Sequence, residues 1–299
     1  MKILVTGASG LVGSALVPYL SAKGDEVVRL VRSAPKPGAA EIEWDTEKGI
    51  TDPARLEGLD AVVHLAGENI SNGRWTDEKK ARIRESRVKG TRVLSEALAQ
   101  LVEPPRSFIS ASAIGFYGSR GREVLNEQSA SGDDFLAEVC REWELATRPA
   151  AVRGMRVANL RFGVILSEQG GALAKMLTPF KLGVGGKVGS GEQYMSWITL
   201  DDTLGAIYHA LTHEDVHGPV NVVAPNPVTN REFTKRLGEA LSRPTLLPAP
   251  AFALRLAFGE MADALLLSSM RVEPLRLKES GFVFQYPELK EALSHILGK

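Results

Sequence analysis

The stretch Gly7-Ala8-Ser9-Gly10-Leu11-Val12-Gly13 combines the residue types that a phosphate group requires. One glycine permits a tight turn, one lets the backbone approach a pyrophosphate, and one lets a following helix pack closely. The free N–H groups at the start of that helix then face the phosphates. The spacing is G-x-x-G-x-x-G rather than the commoner G-x-G-x-x-G, and a glycine triplet alone is a weak signal. Its place between a strand-like run, Lys2 to Thr6, and a helical pattern from Leu11 strengthens it. Further along, Leu30-Val31-Arg32-Ser33 ends the second apolar run without the acid that would hold ribose hydroxyls. A guanidinium there suits a 2′-phosphate through its forked donors, so NADP(H) is expected in preference to NAD(H). The alternative for Arg32 is a solvated surface arginine.

The elements that must hold this loop alternate. Strands are expected at 2–6, 27–31, 42–44, 60–66, 106–113 and 155–166, the last in two parts. Helices are expected at 11–22, with Pro18 inside, at 76–101, and at 133–148, ending at Pro149. Strands alternating with helices indicate a doubly wound parallel sheet. After Ser167 the pattern changes to a glycine-rich region around a short helix. Residues 201–211 read as a helix and 219–223 as a last strand, and from Pro227 the chain is mostly helical. The implied organisation is a nucleotide-binding domain over 1–166, completed by about 196–224. A substrate lobe takes 167–195 and 225–299, with 248–299 a small C-terminal domain.

The chain has 299 residues, with 36 Lys+Arg against 36 Asp+Glu. Zero net charge argues against nucleic-acid binding. Cys140 is the one cysteine, so a reducing compartment is the default and a buried, inert thiol is expected. The histidines show no metal-ligand spacing, so no metal is expected. The N-terminus lacks the apolar run of a signal peptide, and no stretch reaches the ~18 apolar residues of a membrane span. A cytoplasmic protein without membrane contact is the expectation.

Four stretches, GASGLVG at 7–13, HLAGENI at 64–70, SASAIGFYG at 110–118 and SWITLDD at 196–202, resemble the short-chain dehydrogenase/reductase superfamily in its extended, epimerase-like branch. The chain looks most similar to an atypical group termed epimerase family proteins. Leu265 to Phe284 is similar to the small domain of unknown function, DUF1731, that closes that group. The resemblance implies a Rossmann-type doubly wound parallel sheet with a smaller, mostly helical C-terminal substrate lobe. It implies that Leu65, Ala66 and Gly67 run beneath the cofactor's adenosine and ribose, and that Glu68 and Asn69 enter the cleft. Arg82 and Arg87 would contact the cofactor or a substrate anion, or belong to a solvated basic helix face. Gly163, Val164 and Ile165 would lie beside the nicotinamide carboxamide.

One departure undermines transfer of the usual mechanism. Members of the superfamily use a Ser, and a Tyr four residues before a Lys, so that both fall on one helix face. The lysine helps lower the phenol pKa from ~10, and the tyrosine then moves a proton. Ser112 matches the Ser, but Phe135 and Val139 stand where Tyr and Lys are expected, and no Tyr-x-x-x-Lys occurs elsewhere. Three residues are candidates for the missing acid: Tyr117, Glu68 if burial raises its pKa, and Lys175 from the helix over the cleft. Otherwise no protein acid takes part. Lys181 and Lys187 could meet an anionic substrate, and Trp197 could stack on a ring or fill the core. The apolar tail from Pro248 packs on the lobe or offers a homodimer surface. Two functions stand open. One is an NADP(H)-binding oxidoreductase or epimerase-like protein acting on a small molecule. The other is a catalytically inactive dinucleotide-sensing or partner-binding regulator, with a link to cell division as one form.

Overall fold

A computed structural model describes residues 1–299. In chain order the strands are β1 (Lys2–Thr6), β2 (Glu26–Val31), β3 (Glu41–Asp45), β4 (Gly49–Ile50), β5 (Ala61–His64), β6 (Ser107–Ala113), β7 (Val124–Leu125), β8 (Arg156–Phe162), β9 (Val164–Leu166), β10 (Tyr194–Met195), β11 (Trp197–Thr199), β12 (Gly218–Val222), β13 (Val228–Thr229) and β14 (Arg271–Val272). The helices are α1 (Leu11–Ala22), α2 (Asp77–Ala99), α3 (Phe135–Leu145), α4 (Arg148–Val152), α5 (Gly171–Lys181), α6 (Leu200–Thr212), α7 (Asn230–Leu241), α8 (Ala251–Phe258), α9 (Leu275–Glu279) and α10 (Leu289–Ile296). The main sheet runs β12-β8-β6-β5-β1-β2-β3-β4 and is parallel except for the β3–β4 edge pair.

The period-2 alternation of buried strands builds both layers. Ile3 and Val5 join Val63, Ile109 and Leu160 in one core cluster, while Leu4 joins Val28, Val62 and Phe108 in the other. The chain leaves β1 toward β2 and β3, then returns to the other side of β1 with β5, β6, β8 and β12. The order therefore switches between β1 and β5. In such sheets the ligand crevice lies outside the carboxyl ends of the strands at that switch.

Pro149 does not end the helix that begins near 133. That helix stops at Leu145, and Pro149 sits in the first turn of α4, where its missing N–H costs nothing. The short strands β7, β10, β13 and β14 carry no periodicity of their own and arise from tertiary pairing. The C-terminal region divides. Leu289, Ala292 and Leu293 of α10 pack with Phe233 and Leu237 of α7, and Leu277 of α9 enters the sheet core. Helix α8 buries no residue fully and leaves Phe252 and Leu256 exposed. No helix is long and apolar enough to cross a membrane.

Candidate functional site

The β1–α1 turn is shaped by contacts that only hydrogen allows. Gly7 has φ +66°, and a Cβ there would lie 2.7 Å from the Leu65 carbonyl carbon. A Cβ on Gly13 would lie 2.2 Å from the Gly7 oxygen. Gly10 N–H closes the turn on the Gly7 carbonyl at 2.9 Å. Helix α1 then starts without a side-chain cap and without an acid in its first turn. The N–H groups of Leu11, Val12 and Gly13 thus have no intrahelical acceptor. Gly170 and Gly171, which open α5, lie against the Leu11 side chain. Helix α5 is likewise uncapped and without a first-turn acid. Two positive helix ends meet here, as an anion requires.

The β5 turn is pinned beneath this loop by a buried chain of hydrogen bonds. The Thr6 hydroxyl accepts from Leu65 N–H and Ala66 N–H, both at 3.1 Å. Its own hydrogen is thereby directed to His64 Nδ1 at 2.7 Å, leaving Nε2–H for the Thr91 hydroxyl at 2.9 Å. Trp143 Nε1–H donates to the same Thr91 oxygen. Burial pushes the His64 pKa down to about 4, so the ring is neutral. Arg87 completes the clamp. Its Nη1 donates to the carbonyls of Glu68 and Ile83, and its guanidinium lies over the Trp143 ring. Arg87 thus positions the turn rather than facing solvent. Arg82, five residues earlier, is exposed.

Glu68 sits at the mouth of this turn. Lys79 Nζ donates to it at 2.5 Å, and the Lys79 bond, with the charges of Arg82 and Arg32 adding to it, holds the carboxyl below its ordinary range. The condition for an acid, a pKa raised by burial, is therefore reversed. The same field brings Arg32, at the end of β2, Arg82 and Lys79 into one basic cluster at the edge of the crevice. Ser9 is exposed on the glycine turn.

The expected catalytic groups are committed inward. Ser112 is buried, and its hydroxyl donates to Glu144 Oε1 at 2.7 Å. Arg161 grips both oxygens of that carboxylate, through Nε at 2.7 Å and Nη2 at 2.8 Å. Arg161 Nη1 donates to the Tyr117 hydroxyl, which donates in turn to Asn221 Oδ1 at 2.7 Å. Tyr117 is wholly buried, and desolvation pushes its pKa up to about 12. It is a structural phenol, not a proton donor to a ligand. Cys140 is buried and pushed up to about 12 by desolvation, which makes it inert. Trp197 is wholly buried, so it belongs to the core rather than to a ring-stacking surface. Lys175 spans the crevice, reaching the Ser71 carbonyl and hydroxyl at 2.9 and 2.8 Å. Lys181 is exposed, and Lys187 turns back to the Ser190 carbonyl. Ile165 pairs with Ile198 and lies near Gly171. Phe135 is half-buried, edge-on to Trp75 at 5.6 Å, and Val139 is buried.

Glu144, Arg161, Asn221, Thr6 and Thr91 were not legible as site residues from local pattern. An open hollow of about 500 Å³ near Met1, Asp60, Arg106 and Arg156 lies at the amino ends of the strands, away from the glycine turn.

Glycine turn, uncapped helix ends and switch-point crevice together define a Rossmann-type fold. The pattern of the NAD dependent epimerase/dehydratase family matches residues 3–224, and DUF1731, a domain of unknown function, matches 249–296. The chain belongs to the NAD dependent epimerase/dehydratase family. It is 37% identical over 300 residues to human epimerase family protein SDR39U1, covering 99% of this chain and 100% of that one. It is 44% identical over 293 residues to an epimerase family protein of Mycobacterium tuberculosis, covering 98% and 96%. The crystal structure of human SDR39U1 (isoform 2) with NADPH superposes with a TM-score of 0.91 at 36% identity, each chain covered in full. A nucleoside-diphosphate sugar epimerase from Corynebacterium glutamicum gives 0.83 at 41% identity, covering all of this chain and 58% of that one.

Proposed function

We propose that this protein binds NADP(H) and presents it to a small substrate without the tyrosine–lysine pair of its superfamily. The observation that carries this is the β1–α1 turn, whose backbone closes so tightly at Gly7 and Gly13 that no Cβ fits, together with the basic cluster of Arg32, Lys79 and Arg82 around Glu68. Gly7, Ser9, Gly10, Leu11, Val12 and Gly13 would hold the pyrophosphate by their backbone, and Arg32 and Arg82 the 2′-phosphate. Leu65, Ala66 and Gly67 would floor the adenosine side, and Ile165 would border the nicotinamide. Bound NADP(H) supplies a hydride donor or acceptor.

The residues of the chain have other tasks. Arg161 and Glu144 fix the ends of β6 and β8, and Ser112 and Tyr117 are held by them. Phe135 and Trp75, packed edge-on, would give the cleft an apolar wall. Ser112 and Tyr117 are committed inward and Lys79 holds Glu68 as a carboxylate, so Lys175 at the crevice, or solvent, would supply the proton of the missing tyrosine.

A panel of small carbonyl compounds, incubated with NADPH and followed by loss of nicotinamide fluorescence, tests turnover. Consumption by wild type, undiminished in Tyr117→Phe, is expected. Tight NADPH binding with no consumption by any compound would favour the second reading, a dinucleotide-sensing regulator. Phe135 and Val139, in place of the proton-moving pair, are the observation behind that alternative.

A further inference from the structure

Helix α8 carries an apolar residue at seven of its eight positions, Arg255 being the exception, yet it buries none of them fully. Phe252 and Leu256, one turn apart on a single face, are 73% and 78% exposed. A helix that is apolar all round belongs in a core or against a partner. The segment leading into α8 repeats the pattern. Leu246 and Leu247 stand between Pro244 and Pro248, and Leu246 is 83% exposed. Leu182, 73% exposed, follows α5 on the strip of chain that runs beside them. On that strip Gly186 pairs with Leu246 and Val188 with Ala249, and Ala249 N–H donates to the Lys187 carbonyl. Contiguous apolar surface of this kind marks an interaction site.

The surface is held in place. Arg74 donates to the Leu256 and Ala257 carbonyls at the end of α8, and the prolines at 244, 248 and 250 stiffen the approach to it. Its charge has one sign. Residues 169–191 hold Lys175, Lys181 and Lys187 and no acid, and residues 240–259 hold Arg243 and Arg255 and no acid. Glu239, Glu260 and Asp263, the acids flanking the second stretch, are taken by Arg236, Lys80 and Arg255. Lys181 and Arg243 are exposed and have no acid partner. Arg243 Nε donates to the Lys181 carbonyl at 3.0 Å, which holds the two residues side by side. A chain of zero net charge thus concentrates apolar and basic surface at one place on the lobe.

We propose that α8, Leu182 and the leucines at 246 and 247 dock on the face of a bilayer that contains anionic phospholipid. The apolar side chains enter the boundary between headgroups and acyl chains, and Lys181 and Arg243 meet lipid phosphates. A second copy of the chain fits less well. A two-fold contact through this patch sets the cations of one copy near those of the other, with no free acid on the patch to offset them. The prolines fix the approach to α8 in advance, which keeps the ordering cost of docking low. The attachment is peripheral, since no helix is long and apolar enough to cross a membrane.

The whole protein is sedimented with vesicles of phosphatidylcholine alone, and of phosphatidylcholine mixed with phosphatidylglycerol, at low ionic strength. Wild type should bind the mixed vesicles about tenfold or more tightly than the neutral ones, and added salt should weaken that binding. Phe252→Ser combined with Leu256→Ser should lose about tenfold or more of the affinity. Lys181→Gln combined with Arg243→Gln should keep only the weak binding to neutral vesicles. All four side chains are exposed, so both double variants should unfold in urea as wild type does. Wild type left in the supernatant with both vesicles, or binding both alike, overturns the proposal. So does binding that either double variant retains in full. Concentration-dependent dimerisation that Phe252→Ser with Leu256→Ser abolishes, with no vesicle binding, overturns it in favour of a second copy.

Discussion

Replacing Gly13 by alanine puts the cofactor site under a stress that can be worked out in advance. The new Cβ would stand 2.2 Å from the Gly7 oxygen and 2.8 Å from Ala8 Cα, both backbone atoms with little freedom to yield. To reach an ordinary contact near 3.4 Å, turn and helix must part by about 1 Å. A backbone N–H aimed at a phosphate at ~2.9 Å loses its bond over such a shift. Charge-assisted bonds contribute ~1.5–3 kcal/mol each, so losing two weakens NADPH binding by about 3–6 kcal/mol, or at least ~100-fold in Kd. The overpacking itself costs about 1–3 kcal/mol of stability. Gly24→Ala serves as the control: at φ +86° with open space around it, it should lose about 1 kcal/mol of stability and no affinity. NADPH fluorescence titration, with urea unfolding to confirm each fold, reads both. A folded Gly13→Ala that binds NADPH within threefold of wild type refutes the reasoning.

Glu144→Gln leaves the Arg161 guanidinium buried without its counter-charge, so urea unfolding should show a loss of about 3–5 kcal/mol. A loss under 1 kcal/mol would mean that the pair does not hold β6 to β8. His64 gives a pH dependence of stability. The folded ring resists protonation down to about 4, whereas the unfolded ring takes a proton near 6.5. Between those values the unfolded state binds more protons, so its contribution is complete above pH 6.5 and is lost as pH falls toward 4. The loss amounts to about 3 kcal/mol. His64→Gln should flatten that part of the profile, and an unchanged slope would place the titration elsewhere.

How far the sequence could be read follows from the range of the contacts. The glycine turn is local: its residues lie within one strand–turn–helix unit, so spacing read together with the flanking strand and helix patterns exposes it. The absent proton-moving pair is local too, because Phe135 and Val139 share one helix face. The inward commitment of Ser112 and Tyr117 is not local. It depends on Glu144, 32 residues from Ser112, and on Asn221, 104 residues from Tyr117. No periodicity links such positions. The reversal at Glu68 has the same origin, since Lys79 reads in sequence as one charge on a polar helix yet is buried against the carboxylate. Pro149 marked a boundary correctly but with the wrong sense, because proline is tolerated in the first turn of a helix as well as after the last.

The central claim is an NADP(H) site with its phosphate preference set by Arg32 and Arg82. The most direct measurement is a fluorescence titration of the cofactor-free protein with NADPH and with NADH, repeated on Arg32→Ala and Arg82→Ala. The account predicts tight NADPH binding and much weaker NADH binding, with each variant losing affinity for NADPH while NADH binding stays the same. No binding of either dinucleotide, or a preference that survives both substitutions, would contradict it.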